Sequence, residues 1–173
     1  KEKQLNLIDS NLGKIPKGWS VKKIGDISIK QKAKIKDDMK TPRVFSAIKT
    51  GELVLSDEYF SKKVYSKSIK NYYLVDKFTF AYNPSRINIG SIGLNCFDFC
   101  GAVSPAYNVF KVEKHLIWFF QEWLRLNSTR KYINSICFGS VRQSLDHSAF
   151  EQISIVIPPR EIIDNFNKIY EKY

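Results

Sequence analysis

The sequence predicts an α+β domain, on three observations. Short segments rich in β-branched and aromatic residues run through residues 43–112, broken by Gly, Asp, Asn and Ser. At His115 the apolar spacing changes to that of a helix. With 43% hydrophobic and 14% aromatic residues, the chain can bury a sizeable core, which argues against disorder. A length of 173 residues suits one domain, or one domain with a short appendage.

Residues 1–18 are polar and end in Gly13-Lys14-Ile15-Pro16-Lys17-Gly18, so they read as a lead-in linker. Trp19 opens the folded part, and Trp19, Val21, Ile24 and Ile27 suggest a short amphipathic turn or strand on the core. Residues 30–40 are charged with sparse apolar positions and read as an exposed loop. Strands are expected at 44–48, 53–55, 64–65, 72–75 and 78–82, then at 91–95 and 107–112, with Gly101 and Pro105 between the last two. Leu116, Phe119, Phe120, Trp123 and Leu124 recur at helical spacing, with Gln121, Glu122 and Arg125 on the other side. A short helix at 128–134 follows with Ser128 as its N-cap, then a loop at 138–140 and a helical turn at 146–150. An alternating strand at 153–157 stops at Pro158-Pro159. Residues 161–173 read as a last helix with Ile162, Phe166, Ile169 and Tyr173 on one stripe, and no partner for that stripe is evident in so short a tail.

The net charge is +11, which favours a polyanionic partner: nucleic acid first, an anionic membrane surface second. Its position is informative. Residues 14–77 hold 16 Lys and Arg against seven Asp and Glu, leaving the rest of the chain close to neutral. A generally Lys- and Ile-rich composition is the plain alternative. Cys96, Cys100 and Cys137 make no metal-like pattern with only two His, and they are expected to be reduced, mostly buried thiols of a cytoplasmic protein. No run approaches the roughly 18 apolar residues of a membrane span, and no signal-peptide pattern is present, so a soluble protein without membrane association is expected.

The motifs of catalysis are missing. Asn83-Pro84-Ser85 is not the Asn/Asp-Pro-Pro-aromatic loop of a DNA methyltransferase, and no glycine-rich cofactor turn precedes it. Asp57-Glu58 is the one carboxylate pair ahead of a lysine, and adjacent strand residues point to opposite faces, a poor cage for an ion. No phosphate loop occurs, and neither His115 nor His147 has a nucleophile at a motif spacing. No enzyme activity, cofactor or metal is expected.

What remains suits a reader of DNA. Ser85-Arg86-Ile87-Asn88-Ile89-Gly90-Ser91-Ile92-Gly93 sets Arg and Asn among small residues. Arg can engage guanine O6/N7 and Asn adenine N6/N7 in bidentate fashion. The alternative is that Arg86 pairs with an acid and the glycines merely bend the chain. Phe138-Gly139-Ser140-Val141-Arg142-Gln143-Ser144 repeats this chemistry, and Arg142 is equally read as a strut bonding loop carbonyls. The lysines of 30–40 and 62–70, interleaved with Tyr65, Tyr72 and Tyr73, suit phosphate contacts that position without specifying. The candidate DNA contacts are Lys34, Lys36, Arg43, Lys49, Lys63, Lys67, Lys70, Tyr82, Ser85, Arg86, Asn88, Ser140, Arg142 and Gln143.

Three blocks in order resemble a known family. Leu12-Gly13-Lys14-Ile15-Pro16-Lys17-Gly18-Trp19 with Val21-Lys22-Lys23-Ile24-Gly25-Asp26-Ile27 is similar to the opening of a target-recognition domain of type I restriction-modification specificity (S, HsdS) subunits. Arg86-Ile87-Asn88-Ile89-Gly90-Ser91-Ile92-Gly93, followed by Gly101-Ala102-Val103-Ser104-Pro105-Ala106-Tyr107, resembles its central motif. Gly139-Ser140-Val141-Arg142-Gln143-Ser144-Leu145, with Phe150, Ile153, Ile155, Pro158 and Pro159, resembles its exit. Together the blocks cover about residues 12–162.

The resemblance implies a curved, mostly antiparallel sheet with a few packed helices, reading one half of a split double-stranded DNA target. It implies a non-catalytic subunit that docks methyltransferase (M) subunits and, through them, the restriction (R) subunit. Two such domains in the family are held apart by long helices paired as an antiparallel coiled coil. On that pattern residues 1–18 are a lead-in, 19–158 the recognition domain and 159–173 the start of a spacer or dimerisation helix. Gly101-Ala102-Val103-Ser104-Pro105 becomes a structural turn, and the variable basic stretch 30–75 the place to seek specificity. The chain departs from the pattern where Glu161 is followed by Ile162 rather than Gln, and in carrying one recognition domain. It is thus either a fragment of a two-domain subunit or a half-size subunit that dimerises through its last helix. Two other readings stay open: the C-terminal recognition part of a fused restriction-methylation enzyme, and a non-catalytic module for RNA or protein.

Overall fold

The computed structural model of the chain describes residues 6–36, 42–61, 65–66, 68–138 and 144–170. Its first element corrects the expected linker. β1 (Leu7–Ser10) and β2 (Gly13–Pro16) pair antiparallel, with Leu7 opposite Pro16 and Ser10 opposite Gly13. Gly13 supplies the left-handed turn residue at φ 92°, and the Ser10 hydroxyl donates to its carbonyl at 2.5 Å. β3 (Ser20–Lys23) then pairs antiparallel with the last strand, β12 (Ser154–Ile157), so one ladder joins the two ends of the domain. The single-turn helix α1 (Ile24–Ile27) follows, with the Asp26 carboxylate accepting from Lys23 N–H at 2.8 Å.

The main sheet has six strands in the order β4 (Ser28–Gln31), β11 (Asn108–Val112), β8 (Phe80–Tyr82), β9 (Ile92–Leu94), β6 (Glu52–Leu55), β5 (Phe45–Ile48). Neighbours run antiparallel except β6 with β9. A second ladder, β7 (Tyr73–Val75) with β10 (Gly101–Val103), lies between the two edges of this sheet. Val44, just before β5, bridges to Ala102. On the other side, beyond β4, the Ala33 carbonyl accepts from Leu74 N–H at 2.8 Å and Ile35 N–H donates to the Tyr72 carbonyl at 3.1 Å. The curved sheet therefore comes round on itself as a small irregular barrel.

Strand alternation sorts the side chains into two cores. Phe45, Leu53, Leu55, Val75, Ala81, Val103 and Val109 pack together on the concave side. Phe80, Tyr82, Ile92, Leu94, Phe110 and Val112 pack on the opposite side, against the helices. After the one-turn helix α2 (Ser56–Tyr59), the helical layer comprises α3 (Ile117–Arg125), α4 (Asn127–Phe138), α5 (His147–Glu151) and α6 (Arg160–Tyr170). Phe120 of α3 meets Phe80 edge-on at 5.2 Å, and Phe150 of α5 lies 5.3 Å from Phe110. Asp146 caps α5, accepting from Ala149 N–H at 2.8 Å.

Several expected boundaries change for physical reasons. The strand expected at 78–82 begins only at Phe80, because Phe78 takes φ 60° and its N–H donates to the Asn95 carbonyl at 2.8 Å. Residues 101–103, expected as a turn, are strand β10. The first part of the expected loop 30–40 belongs to β4 or bonds to β7. Val64 of the strand expected at 64–65 lies outside the described residues, and Tyr65 is in no strand. The stripe expected to lack a partner is also corrected. α6 lies on α3, with Ile163 buried, Phe166 6.4 Å from Phe119 edge-on, and Tyr170 stacked on Trp118 at 5.0 Å. Ile162 and Ile169 remain exposed, and Tyr173 lies outside the described residues.

All three cysteines are free thiols, but Cys96 is exposed, against expectation, while Cys100 is half-buried and Cys137 buried. Among the described residues no group of three His, Cys, Asp or Glu could hold a metal ion, and no helix is long and apolar enough to cross a membrane.

Two glycines of the central motif are fixed by close packing. A Cβ on Gly93 would lie 2.3 Å from the Glu52 carbonyl carbon, and one on Gly101 2.1 Å from the Phe45 ring. Alanine at either position should destabilise the domain by about 1–3 kcal/mol through overpacking, read as a lower denaturant midpoint. His147 predicts a pH dependence. Burial among aromatic rings lowers its pKa below 6.5, and Lys30 pushes the same way. Asp146 and the Glu151 carboxylate, 3.2 Å from Nε2 but not aligned for a hydrogen bond, oppose the shift. The unfolded chain therefore takes up the proton first, and the stability His147 gives above pH 6.5 is lost as pH falls below it. Thermal midpoints measured from pH 7.5 to 5 should fall more steeply for the wild type than for His147→Gln.

Candidate nucleic-acid interface

β8 leads into a turn whose backbone is closed on itself. Ser85 N–H donates to Asn83 Oδ1 at 3.0 Å, and Arg86 N–H to the Asn83 carbonyl at 3.0 Å. The 3₁₀ turn Ile87–Ile89 follows and ends at Gly90, whose φ of 91° is left-handed. Gly90 N–H donates to the Ile87 carbonyl at 2.9 Å, while Ser91 N–H donates to that of Arg86 at 3.0 Å. Asn83 N–H closes the loop onto the Ser91 carbonyl at 3.0 Å. Ile87 is buried and α4 packs against the turn from below, so the segment is held in one shape.

On one side of this turn lies a cleft of about 400 Å³. Arg86, Asn83 and Ser91 line it from the turn, Ser46 from β5, and Ser104 and Tyr107 from the loop before β11, with Phe60, Tyr65 and Tyr72 completing its wall. Arg86 is exposed, and among the described residues its guanidinium has no hydrogen-bond or ion-pair partner. Tyr107 Oη accepts from Ala47 N–H at 3.3 Å, fixing one wall to β5. An arginine with free donors beside Asn and Ser groups can present hydrogen bonds to a planar, acceptor-rich ligand edge.

On the other side lies a hollow of about 220 Å³ lined by Asn88, Ile89, Lys49 and Arg130 over the apolar floor of Ile87, Ile92, Leu124 and Ile133. Arg130 Nη2 donates to the Lys49 carbonyl at 2.9 Å, joining α4 to the β5–β6 turn. Arg125 holds the same turn, with Nε donating to the Thr50 carbonyl at 3.0 Å, Nη1 to Glu122 at 2.6 Å and Nη2 to Glu52 at 3.3 Å. Lys49 and Arg130 are both exposed and share one cationic shelf.

The sequence-expected contacts are thus divided. Ser85 and Arg86 belong to the turn, with Arg86 at the cleft, and Asn88 and Lys49 lie at the hollow. Lys34, Lys36 and Lys70 are exposed, and Lys34 Nζ lies 5.6 Å from the Tyr73 ring centroid. Arg43 pairs with Glu58 at 2.5 Å, but the side chains are 48% and 66% exposed, so the pair contributes at most about 1 kcal/mol. Tyr82 is a correction. It is fully buried against Phe110 and Phe150, and burial pushes its phenol pKa up, so it belongs to the core and cannot touch DNA. Lys63, Lys67, Ser140, Arg142 and Gln143 lie outside the described residues. The elements flanking 139–143 are nevertheless placed: α4 packs on the Ile87–Ile89 turn, and Leu145 N–H donates to the Pro84 carbonyl at 3.0 Å. Arg130 was not expected, and its one sequence signal was the adjacent pair Arg130-Lys131 on an otherwise polar helix face.

A separate apolar groove of about 450 Å³ runs between α3 and α6, lined by Trp19, Phe119, Trp123, Leu126, Ile162 and Phe166 among others.

The family model described as type I restriction modification DNA specificity domain matches residues 16–170. No curated protein matches the chain. Among solved structures, the fold is similar to the HsdS subunit from Thermoanaerobacter tengcongensis, with a TM-score of 0.51 at 10% identity over 91% of this chain and 39% of that one. It is similar to the type I restriction-modification S subunit from M. genitalium, with a TM-score of 0.50 at 13% identity over 90% of this chain and 41% of the other. A third likeness, at TM-score 0.51 and 9% identity over 91% and 40% of the two chains, is to a protein from work on complex assembly and conformational transition of the type I R-M system. The chain spans about two fifths of the length of these structures. The α+β architecture, with its curved and mostly antiparallel sheet, is theirs, and the chain belongs to the type I restriction modification DNA specificity domain family.

Proposed function

We propose that the chain reads one half of a bipartite sequence in duplex DNA and confers that specificity on a type I restriction-modification methyltransferase and endonuclease complex. The observation that carries this reading is the exposed Arg86 guanidinium, without a partner among the described residues, at a polar cleft in a chain of a DNA specificity family. In the major groove an arginine so placed donates in pairs to guanine O6 and N7, and Asn88 suits adenine. Lys49 and Arg130, on the far side of the same turn, suit a backbone phosphate, with Lys34, Lys36 and Lys70 adding contacts that set register.

In this reading the chain performs no chemical step and needs no cofactor, and the methyltransferase and restriction subunits act in the cytoplasm at the site it selects. One domain supplies one half-site, in keeping with a chain about two fifths as long as the S subunits it resembles. Residues 19–158 form the recognition domain, to which the 7–16 hairpin is added, and 159–173 begin the spacer. The exposed Ile162 and Ile169 on α6 support pairing with a second recognition domain or a second copy.

Binding to duplex DNA should weaken steeply as salt rises, and selection from randomised duplexes at moderate salt should enrich one short motif. Salt-independent binding, or no motif, would sink the proposal. Arg86→Ala should cost about 1–3 kcal/mol and relax one base position, whereas Arg130→Ala should weaken every sequence alike and reduce the salt slope by about one. Binding isotherms on the selected motif and its single-base variants separate the two effects.

A further inference from the structure

The geometry points to a second base-reading group on the same turn: we propose that Ile89 contacts the C5 methyl group of a thymine in the major groove. This rests on the DNA-reading function proposed above. Within the Ile87–Ile89 turn the two isoleucines have opposite fates, Ile87 being 3% exposed and Ile89 65%. Single exposed isoleucines are ordinary on protein surfaces. This one differs in its setting.

Ile89 shares the hollow with Asn88, Lys49 and Arg130, and Arg86, three residues before it on the same turn, lines the polar cleft. The turn that carries it is preset. Ile89 N–H donates to the Arg86 carbonyl at 3.2 Å, and Gly90 N–H to that of Ile87 at 2.9 Å. Gly90 packs closely on the β5–β6 turn, where an added Cβ would lie 3.0 Å from Lys49 Cα. A β-branched side chain adds little freedom of its own, so the turn presents a fixed apolar knob beside hydrogen-bonding groups. A phosphate offers such a knob nothing, and the most prominent apolar group on the major-groove edge of a base pair is the thymine methyl. A turn entering that groove with Arg86 on a base edge and Lys49 or Arg130 on a phosphate would carry the exposed Ile89 in with it, against a neighbouring base pair.

The test uses the duplex motif enriched by this chain from a randomised pool, with each thymine replaced in turn by deoxyuridine, which removes only the methyl. Wild-type binding should fall about fourfold at one position, the value of one buried methyl. Ile89→Ala, which keeps its thermal midpoint because the side chain is exposed, should lose at least as much on the thymine duplex and should no longer distinguish thymine from uracil there. An enriched motif without thymine, or uracil tolerated everywhere by the wild type, overturns this inference and leaves DNA reading intact. An Ile89→Ala variant that still discriminates as strongly as the wild type also overturns it. Failure to enrich any motif removes the DNA-reading function and this inference with it.

Discussion

The ring of Phe45 rests on the bare backbone of Gly101, and the closure of the sheet depends on that contact. A methyl at Gly101 would meet the ring at 2.1 Å, so the strand carrying it would be pushed away from β5. With the contact made, Val44 bridges to Ala102, β10 pairs with β7, and β7 reaches the chain beyond β4. Closure also brings Ser46 and Ala47 opposite Asn83, Arg86 and Ser91, and these two sides form the cleft. The proposed reading surface is therefore a by-product of how the barrel shuts. One wall is strand β5 and another the hydrogen-bonded 83–91 turn, and Tyr107 of the loop before β11 is tied to β5 through Ala47 N–H, which favours preorganised recognition.

The division of polar groups around the 83–91 turn follows from the same packing. Ile87 and α4 hold the turn from below, while Arg130 and Arg125 hold the adjoining β5–β6 turn through the Lys49 and Thr50 carbonyls. Arg125 is already engaged with Glu122, Glu52 and Tyr170 and is poorly placed to give donors to a ligand. Arg130 spends one donor on the Lys49 carbonyl and stays exposed. Structural and available cations thus sit within one surface, and the count of positive charges alone would not tell them apart.

Much of the fold was legible because its elements carry strong local signals. The helical spacing from Leu116 to Leu124 and the helical turn at 146–150 lie where the sequence puts them. The motif blocks were legible too, but in the structure they are largely scaffold: Gly93 and Gly101 are there for close approach, and Gly90 for a left-handed turn. Tyr82 was misread because β8 is buried on both faces, so Phe-Ala-Tyr carries no alternation to mark the residue as internal. The 7–16 hairpin was missed because it is mostly exposed, Leu7, Ile8 and Leu12 included, with a single buried side chain at Ile15 and so no buried face to mark it. On α6, adjacent Ile162 and Ile163 give two equally regular apolar lines, and only the presence of α3 selects the one through Ile163, Phe166 and Tyr170.

In the proposed mode of binding, DNA lies across the 83–91 turn and the adjoining β5–β6 turn. Backbone amide shifts of the ¹⁵N-labelled chain, followed as a duplex bearing its selected motif is added, test this most directly. The account predicts shifts concentrated at residues 46–50, 83–91 and 130–131, with the α3–α6 groove unmoved. Shifts confined to that groove, around Phe119, Ile162 and Phe166, would contradict it.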